Sequence, residues 1–181
     1  RDGNKGTFGK LCVIAGRKNM SGAAFFSAKA AYRMGTGLVM VASEEENRVI
    51  LQTLLPEILF TQINFRDIVV KLNDLSERVE KWCDGIVIGP GIATDLAAKE
   101  LLLQSLEIAK QNDKFAVIDA DAFHILGEMM KEACISSVSD RVRHLAKILP
   151  KRSVLTPHIK ELSYLLDITV NELKQNMMDI A

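Results

Sequence analysis

The stretch Asp84-Gly85-Ile86-Val87-Ile88-Gly89-Pro90-Gly91-Ile92-Ala93-Thr94-Asp95 decides the fold. Gly85 to Ile88 is apolar at successive positions, without the alternation of a half-exposed strand, as expected of a parallel strand covered on both faces. Gly89 then permits a sharp exit, Pro90 stiffens the turn, and Gly91 is free to take positive φ while leaving its amide uncovered. Thr94 is expected to cap the helix that follows, whose periodicity runs from Asp95 to Gln111. A rigid corner without side chains at a helix N-terminus suits a phosphate or the polar edge of a cofactor. It is equally the form of an ordinary strand-to-helix turn.

The same alternation extends in both directions. Leu11 to Ala15, Leu38 to Val41, Ile58 to Ile63, Phe115 to Ile118 and Val154 to Leu155 are further strand candidates. Ser21 to Met34, Glu45 to Leu54, Asp74 to Cys83, Asp140 to Leu149 and His158 to Leu166 carry helical spacing, and Asn64 to Val70 fits neither pattern. Strand and helix in turn predict a layered α/β fold with right-handed crossovers, in which ligands sit beyond the carboxyl ends of the strands.

Composition narrows the partner. The chain has 181 residues, 48% hydrophobic and 25% charged, enough for one sizeable core and short for two domains. Lys plus Arg and Asp plus Glu are 23 each, so no overall field favours nucleic acid or an anionic membrane, and a small molecule is the expected ligand. No apolar run approaches the roughly 18 to 20 residues of a membrane helix, and the opening residues lack a signal-peptide core, which predicts a cytoplasmic protein. Cys12, Cys83 and Cys134 form no Cys-x-x-Cys pair and are expected as small buried or half-buried residues, with no metal site predicted. The opening on Arg1 and the helix-like close from Asn171 to Ala181, without a terminator, lead us to expect a longer polypeptide.

Three more strand-end loops could carry chemistry. After the first strand, Ser21 is expected to cap a helix, and Gly22 and Ala23 lack bulk, so either a ligand approaches the backbone or small residues pack on the sheet. After the fifth, Asp119 and Asp121 could orient a ligand hydroxyl or hold magnesium, or serve as a structural pair with Asp121 as an N-cap. Asp119, leaving an apolar strand, must find a partner or shift its pKa. After the sixth, Thr156 and Pro157 are read as N-cap and first helical residue, which puts His158 in the first turn, where the helix dipole favours a neutral ring able to bond a ligand. His124 and His144 are read as structural.

Together these loops are far more specific than any one. Lys5-Gly6-x-x-Gly9, Met20-Ser21-Gly22-Ala23, Arg33-x-Gly35-x-Gly37-Leu38-Val39, Pro56-Glu57, Ile88-Gly89-Pro90-Gly91, Asp119-Ala120-Asp121-Ala122 and Leu155-Thr156-Pro157-His158-x-x-Glu161 occur in the order of one family. From Lys5 to Leu166 the sequence resembles the ADP/ATP-dependent NAD(P)H-hydrate dehydratases. That resemblance implies a ribokinase-like three-layer sandwich: a mostly parallel sheet with helices on both faces, here a single domain over 1–181 that lacks its C-terminal part. It implies a carbon–oxygen lyase that uses ATP or ADP, with Mg2+, to dehydrate (S)-NAD(P)H-hydrate by phosphorylation and elimination of phosphate. Ala23, Gly91 and His158 match the family's contacts to the hydrated dinucleotide, Asp119 and Glu161 its acidic positions nearby, and Gly89 and Pro90 the cofactor turn. It further implies self-association and, in some members, an epimerase domain in the same chain.

Three positions depart from the family pattern. Asn4 stands for His, Ala93 for the Gly that completes Gly-Pro-Gly-x-Gly, and Ile159-Lys160 for Pro-Gly. Ala93 is expected to stiffen or shift its loop. The Gly-x-Gly-Asp segment that supplies the family's catalytic base and anion hole is absent from these residues, so the catalytic residue is expected beyond Ala181 and the fragment alone is expected to bind the dinucleotide weakly at best and not to turn over. The same fold also carries kinases for hydroxyethylthiazole or hydroxymethylpyrimidine, and a non-catalytic dinucleotide-binding or oligomerisation module is the other alternative.

Overall fold

The computed structural model describes residues 3–65 and 68–175, with side chains omitted over 68–74. In chain order the elements are β1 (Lys10–Ile14), α1 (Ser21–Arg33), β2 (Leu38–Ser43), α2 (Arg48–Leu54), β3 (Leu59–Gln62), α3 (Ile68–Lys81), β4 (Gly85–Ile88), α4 (Leu96–Gln111), β5 (Phe115–Ile118), α5 (Asp121–Glu132), α6 (Val138–Ile148), β6 (Ser153–Leu155), α7 (Ile159–Leu166) and α8 (Val170–Gln175). Short 3-10 turns cover Lys5–Phe8 and Glu45–Asn47. The strands pair in the order β3-β2-β1-β4-β5-β6, and all five pairings are parallel. The chain winds outward from β1 to β3, returns to β4 beside β1, and winds out the other way. That reversal opens a crevice above the carboxyl ends of β1 and β4.

Side chains alternate across the sheet and divide the core into two. Cys12, Ile14, Met40, Ala42, Ile86, Ile88, Ala116 and Ile118 face the buried sides of α4 and α5, through Leu101, Leu102, Leu106, Phe123 and Leu126. Leu11, Val13, Val39 and Val41 face α1 and α2, through Ala24, Ala28 and Leu51. Small residues on α1 let it lie close to the strands. On the first face α6 and α7 are tied by a buried guanidinium: Arg141 donates to the carbonyls of Ile135 and Leu165 at 2.9 Å each and to Asp167 at 3.1 Å.

Glycines in the motifs mark close approaches. A Cβ on Gly37 would lie 1.7 Å from the Lys5 carbonyl oxygen, so the Lys5–Gly9 segment docks on Gly37, whose N–H donates to Phe8. A Cβ on Gly89 would lie 1.8 Å from the Asp119 carbonyl oxygen, which joins the turn after β4 to the end of β5.

Several local expectations shift. The stretch from Glu45 to Leu54 divides into a 3-10 turn and a helix, because Asn47 turns inward between them. The helix α5 escaped the periodicity, since Gly127 interrupts it; α7 crosses there, and a Cβ on Gly127 would meet the Tyr164 ring at 2.8 Å. Caps move by one or two residues. Ser21 opens α1 after Met20, which gives no side-chain cap; Asp95 rather than Thr94 caps α4, accepting from the Ala98 N–H; and His158 rather than Thr156 caps α7. Asp121 is the first residue of α5 and follows Ala120. Cys134 is exposed, unlike Cys12 and Cys83. Part of Asn64 to Val70 and the close beyond Gln175 lie outside the described residues.

Candidate functional site

At the crevice, the loop after β1 arches over the turn after β4. Gly16 N–H donates to the Pro90 carbonyl at 2.9 Å and Arg17 N–H to the Gly91 carbonyl at 2.7 Å. Ala23 and Met20 close over Gly91: a Cβ built on Gly91, at φ +64°, would meet their Cβ atoms at 3.1 and 3.2 Å. The two small residues singled out in sequence therefore touch. Gly91 was expected to leave its amide uncovered; instead Gly89, Pro90 and Gly91 are buried beneath the arch. Yet the Gly91 N–H has no acceptor among the described residues. A buried, unpaired backbone donor is rare in folded proteins and marks a place that a ligand or water completes.

The arch carries charge outward. The Arg17 guanidinium bonds Asp95, the cap of α4, and its carbon stands 4.3 Å from the centre of the Phe65 ring. Partial burial pushes the Asp95 carboxyl up, but the hydrogen bond from Arg17 and the N–H of Ala98 outweigh it, so the group sits below the ordinary carboxylate value.

The third wall comes from β5. Asp119 N–H donates to the Ile88 carbonyl at 3.1 Å, and its half-buried carboxylate has no partner among the described residues. Ala120 holds φ 52° and ψ −122°, a conformation proper to glycine, which stores about 1–3 kcal/mol of strain beside the crevice. Asp121 is not a free ligand group: its Oδ2 accepts from the N–H of Ala93 at 2.9 Å. That bond supports Ala93 at φ 65°, so the alanine occupies the glycine conformation instead of abolishing the turn.

The start of α7, after β6, is self-braced. His158 Nδ1 accepts from the N–H groups of Lys160 and Glu161 at 3.2 Å each, which places the ring proton on Nε2. That nitrogen lies 3.2 Å from Glu161 Oε1, while Glu161 Oε2 accepts from the His158 N–H at 2.9 Å. Glu161 is buried and His158 mostly exposed. Both residues thus serve the start of α7, with Nε2 against the Glu161 carboxylate.

Asp119 and Thr156 also stand at the head of an apolar groove of about 370 Å3 on the α1 side of the sheet, formed with Leu11, Met34, Val87 and Val117. A second cavity, about 490 Å3, lies between α4, α5 and α7. Much of its polar lining is already paired, Lys99 with Glu132, Tyr164 with Glu128 and Asp95 with Arg17. Little is left there to bind, and we place the site at the crevice. Arg17, Ser43, Asn47 and Asp121 were not singled out in sequence for the parts they play here. Their partners lie on other elements, and sequence spacing carries no trace of them.

Comparisons with known proteins bear on the family and the fold. The family model for NAD(P)H-hydrate dehydratase matches residues 11–181. The ADP-dependent (S)-NAD(P)H-hydrate dehydratase of Lactococcus lactis is 34% identical over 178 residues, 98% of this chain and 56% of that protein. A bifunctional NAD(P)H-hydrate repair enzyme of Coxiella burnetii is 35% identical over 176 residues, 97% of this chain and 30% of that protein. The crystal structure of a ribokinase-like superfamily protein from Enterococcus faecalis superposes with a TM-score of 0.72 at 25% identity, covering 98% of this chain and 57% of that one. The chain thus spans about half the length of the dehydratase it matches, and less of the bifunctional enzyme. The chain belongs to the NAD(P)H-hydrate dehydratase family.

Proposed function

We propose that this chain forms the dinucleotide-binding part of a nicotinamide-nucleotide repair enzyme, which dehydrates (S)-NAD(P)H-hydrate with ATP or ADP. The observation that carries this is the N–H of buried Gly91, which has no acceptor among the described residues, at the switch point of the sheet and walled by Ala23. The names of the Lactococcus and Coxiella proteins support the substrate.

In the reaction, the terminal phosphoryl group of the nucleotide passes to the hydrate's hydroxyl oxygen, the P–O bond to the nucleotide breaking as the new one forms. Phosphate then leaves with the C–O bonding pair, a proton leaves the neighbouring ring carbon, and the double bond returns. The residues present do the positioning. Gly91 offers its N–H to a polar edge of the ring system, Ala23 limits the depth of the crevice, and Asp119 accepts from a ligand donor. His158 uses its Nε2–H, exchanging Glu161 for the ligand. Gly89 and Pro90 shape the turn that sets these distances. Among the described residues no three His, Cys, Asp or Glu side chains converge as metal ligands. Magnesium enters as companion to the nucleotide phosphates, and no step here depends on it.

Two measurements separate the readings. In a thermal-shift panel, NADP and NADPH raise the midpoint while hydroxyethylthiazole and hydroxymethylpyrimidine do not; the reverse order would assign a vitamin-precursor kinase. The 181 residues alone give no ATP-dependent restoration of NADH absorbance, because the Gly-x-Gly-Asp segment with the base is not among them. Robust turnover would remove the base from that segment. The repeated matches to bifunctional repair enzymes support association with an epimerase domain.

A further inference from the structure

We propose that Ser43 and Asn47 are positioning residues for the crevice: they hold the Gly16–Arg17 peptides against Pro90–Gly91 and so set how far the arch stands from the ligand corner. The proposal deepens the reading of the crevice as a dinucleotide site. Ser43 ends β2, Asn47 lies one turn later, and each is 1% exposed. Ser43 Oγ donates to the Gly16 carbonyl at 2.5 Å. Asn47 Nδ2 lies 3.2 Å from the Gly16 carbonyl, 3.1 Å from the Arg17 carbonyl and 2.9 Å from Ser43 Oγ.

The same two residues, Gly16 and Arg17, give their N–H groups to Pro90 and Gly91. The arch is therefore gripped from two sides, its carbonyls by β2 and the turn after it, its amides by the turn after β4. Gly16 shows how tight the grip is: at φ +77°, a Cβ there would stand 3.2 Å from Ser43 Oγ and 3.0 Å from both the Met20 carbonyl and Ala24. A buried amide and hydroxyl in this position cost more than an apolar pair unless every bond is made, and here they are spent on loop carbonyls that no strand ladder reaches. Neither side chain is assigned a ligand contact. They act through Gly16 and Arg17, and through them on Met20 and Ala23.

The test uses the 181-residue chain with Ser43→Ala and Asn47→Leu, and Leu102→Ala as a control that loosens the core away from the crevice. Amide hydrogen exchange is read at Gly16, Arg17 and Gly91 to Ala93, and NADPH affinity by calorimetry where each variant is folded. Both clamp variants should speed exchange at Gly16 and Arg17 at least tenfold beyond β4 and β5, and weaken NADPH about tenfold. Leu102→Ala, for a similar loss of midpoint, should change exchange evenly across the molecule, with no excess at Gly16 and Arg17, and leave NADPH affinity unchanged. If the clamp variants change exchange evenly across the molecule, as Leu102→Ala does, the positioning role is overturned. If the unmodified chain fails to bind NADPH, the functional reading fails, and exchange alone decides the clamp. Should Asn47→Leu not fold, Ser43→Ala carries the test.

Discussion

The two faces of the sheet are finished to different degrees. On the side of α4 and α5, Ile86, Ile88, Ala116 and Ile118 are buried under helices, and Leu102 beneath them is wholly buried. On the side of α1 and α2, cover is continuous over β1 and β2 but thins across β4 to β6, where Val87 and Val117 line open grooves and Val154 is 57% exposed. Parallel sheets are ordinarily buried on both faces. The site lies where the finished and unfinished parts meet, with Asp119 and Thr156 at the head of the open groove. The contrast teaches that one face supplies stability, while the other supplies the margin along which a ligand is approached.

The sharpest break of that contrast is a matched pair of truncations. Leu102→Ala should cost about 2–5 kcal/mol, read by urea unfolding, through lost burial and a cavity in the closed core. Val154→Ala on the open face should stay within about 0.5 kcal/mol. Equal losses would mean that the open face is packed as tightly as the closed one. Next in size is Arg141→Met, which leaves the Ile135 and Leu165 carbonyls without their donor and should cost about 2–3 kcal/mol in the same assay.

At the site margin the sign reverses. Ala120→Gly should stabilise by about 1 kcal/mol, and Ala93→Gly by about half as much, since relief of the glycine-like conformation outweighs the extra freedom of the unfolded chain. A loss at Ala120 would deny the strain. The smallest effect is electrostatic. The Asp95 carboxyl lies below its ordinary value of 3.8 in the folded chain, so the stability that Arg17 confers is present above that value and lost as pH falls through the folded one. Asp95→Asn keeps the cap but removes this acid limb: the difference from the parent chain should be flat above about pH 5 and shrink below pH 4. Covalent labelling sharpens the two faces in another way. Burial pushes the Cys12 thiol up, and Cys83 mainly by burial to about 11, so alkylation of the folded chain at pH 8 should mark Cys134 alone.

All six strands and their parallel pairing were legible because buried parallel strands are short continuous apolar runs, with β4 and β5 bounded where the sequence places them. α5 was not, because Gly127 speaks against a helix until Tyr164 is seen to need the space. The caps at Met20 and Asp95 fell one residue from the expected Ser21 and Thr94, and that at His158 two from Thr156, since neighbouring polar residues compete for the same role. Of the site, the contact of Ala23 with Gly91 was foreshadowed by the motif order. The burial of Gly91, the bond from Ala93 to Asp121 and the grip of Asn47 depend on pairings across 28 and 31 positions, which local patterns do not carry.

The central claim is that a hydrated nicotinamide dinucleotide rests at the Gly91 corner. Its most direct test is an amide chemical-shift titration of the uniformly labelled chain with NADPH. The account predicts the largest shifts at Gly91 and Ala23, with smaller ones at Asp119 and His158. Shifts centred on His124, Glu128 and Tyr164 in the cavity between α4, α5 and α7, with Gly91 unmoved, would contradict it.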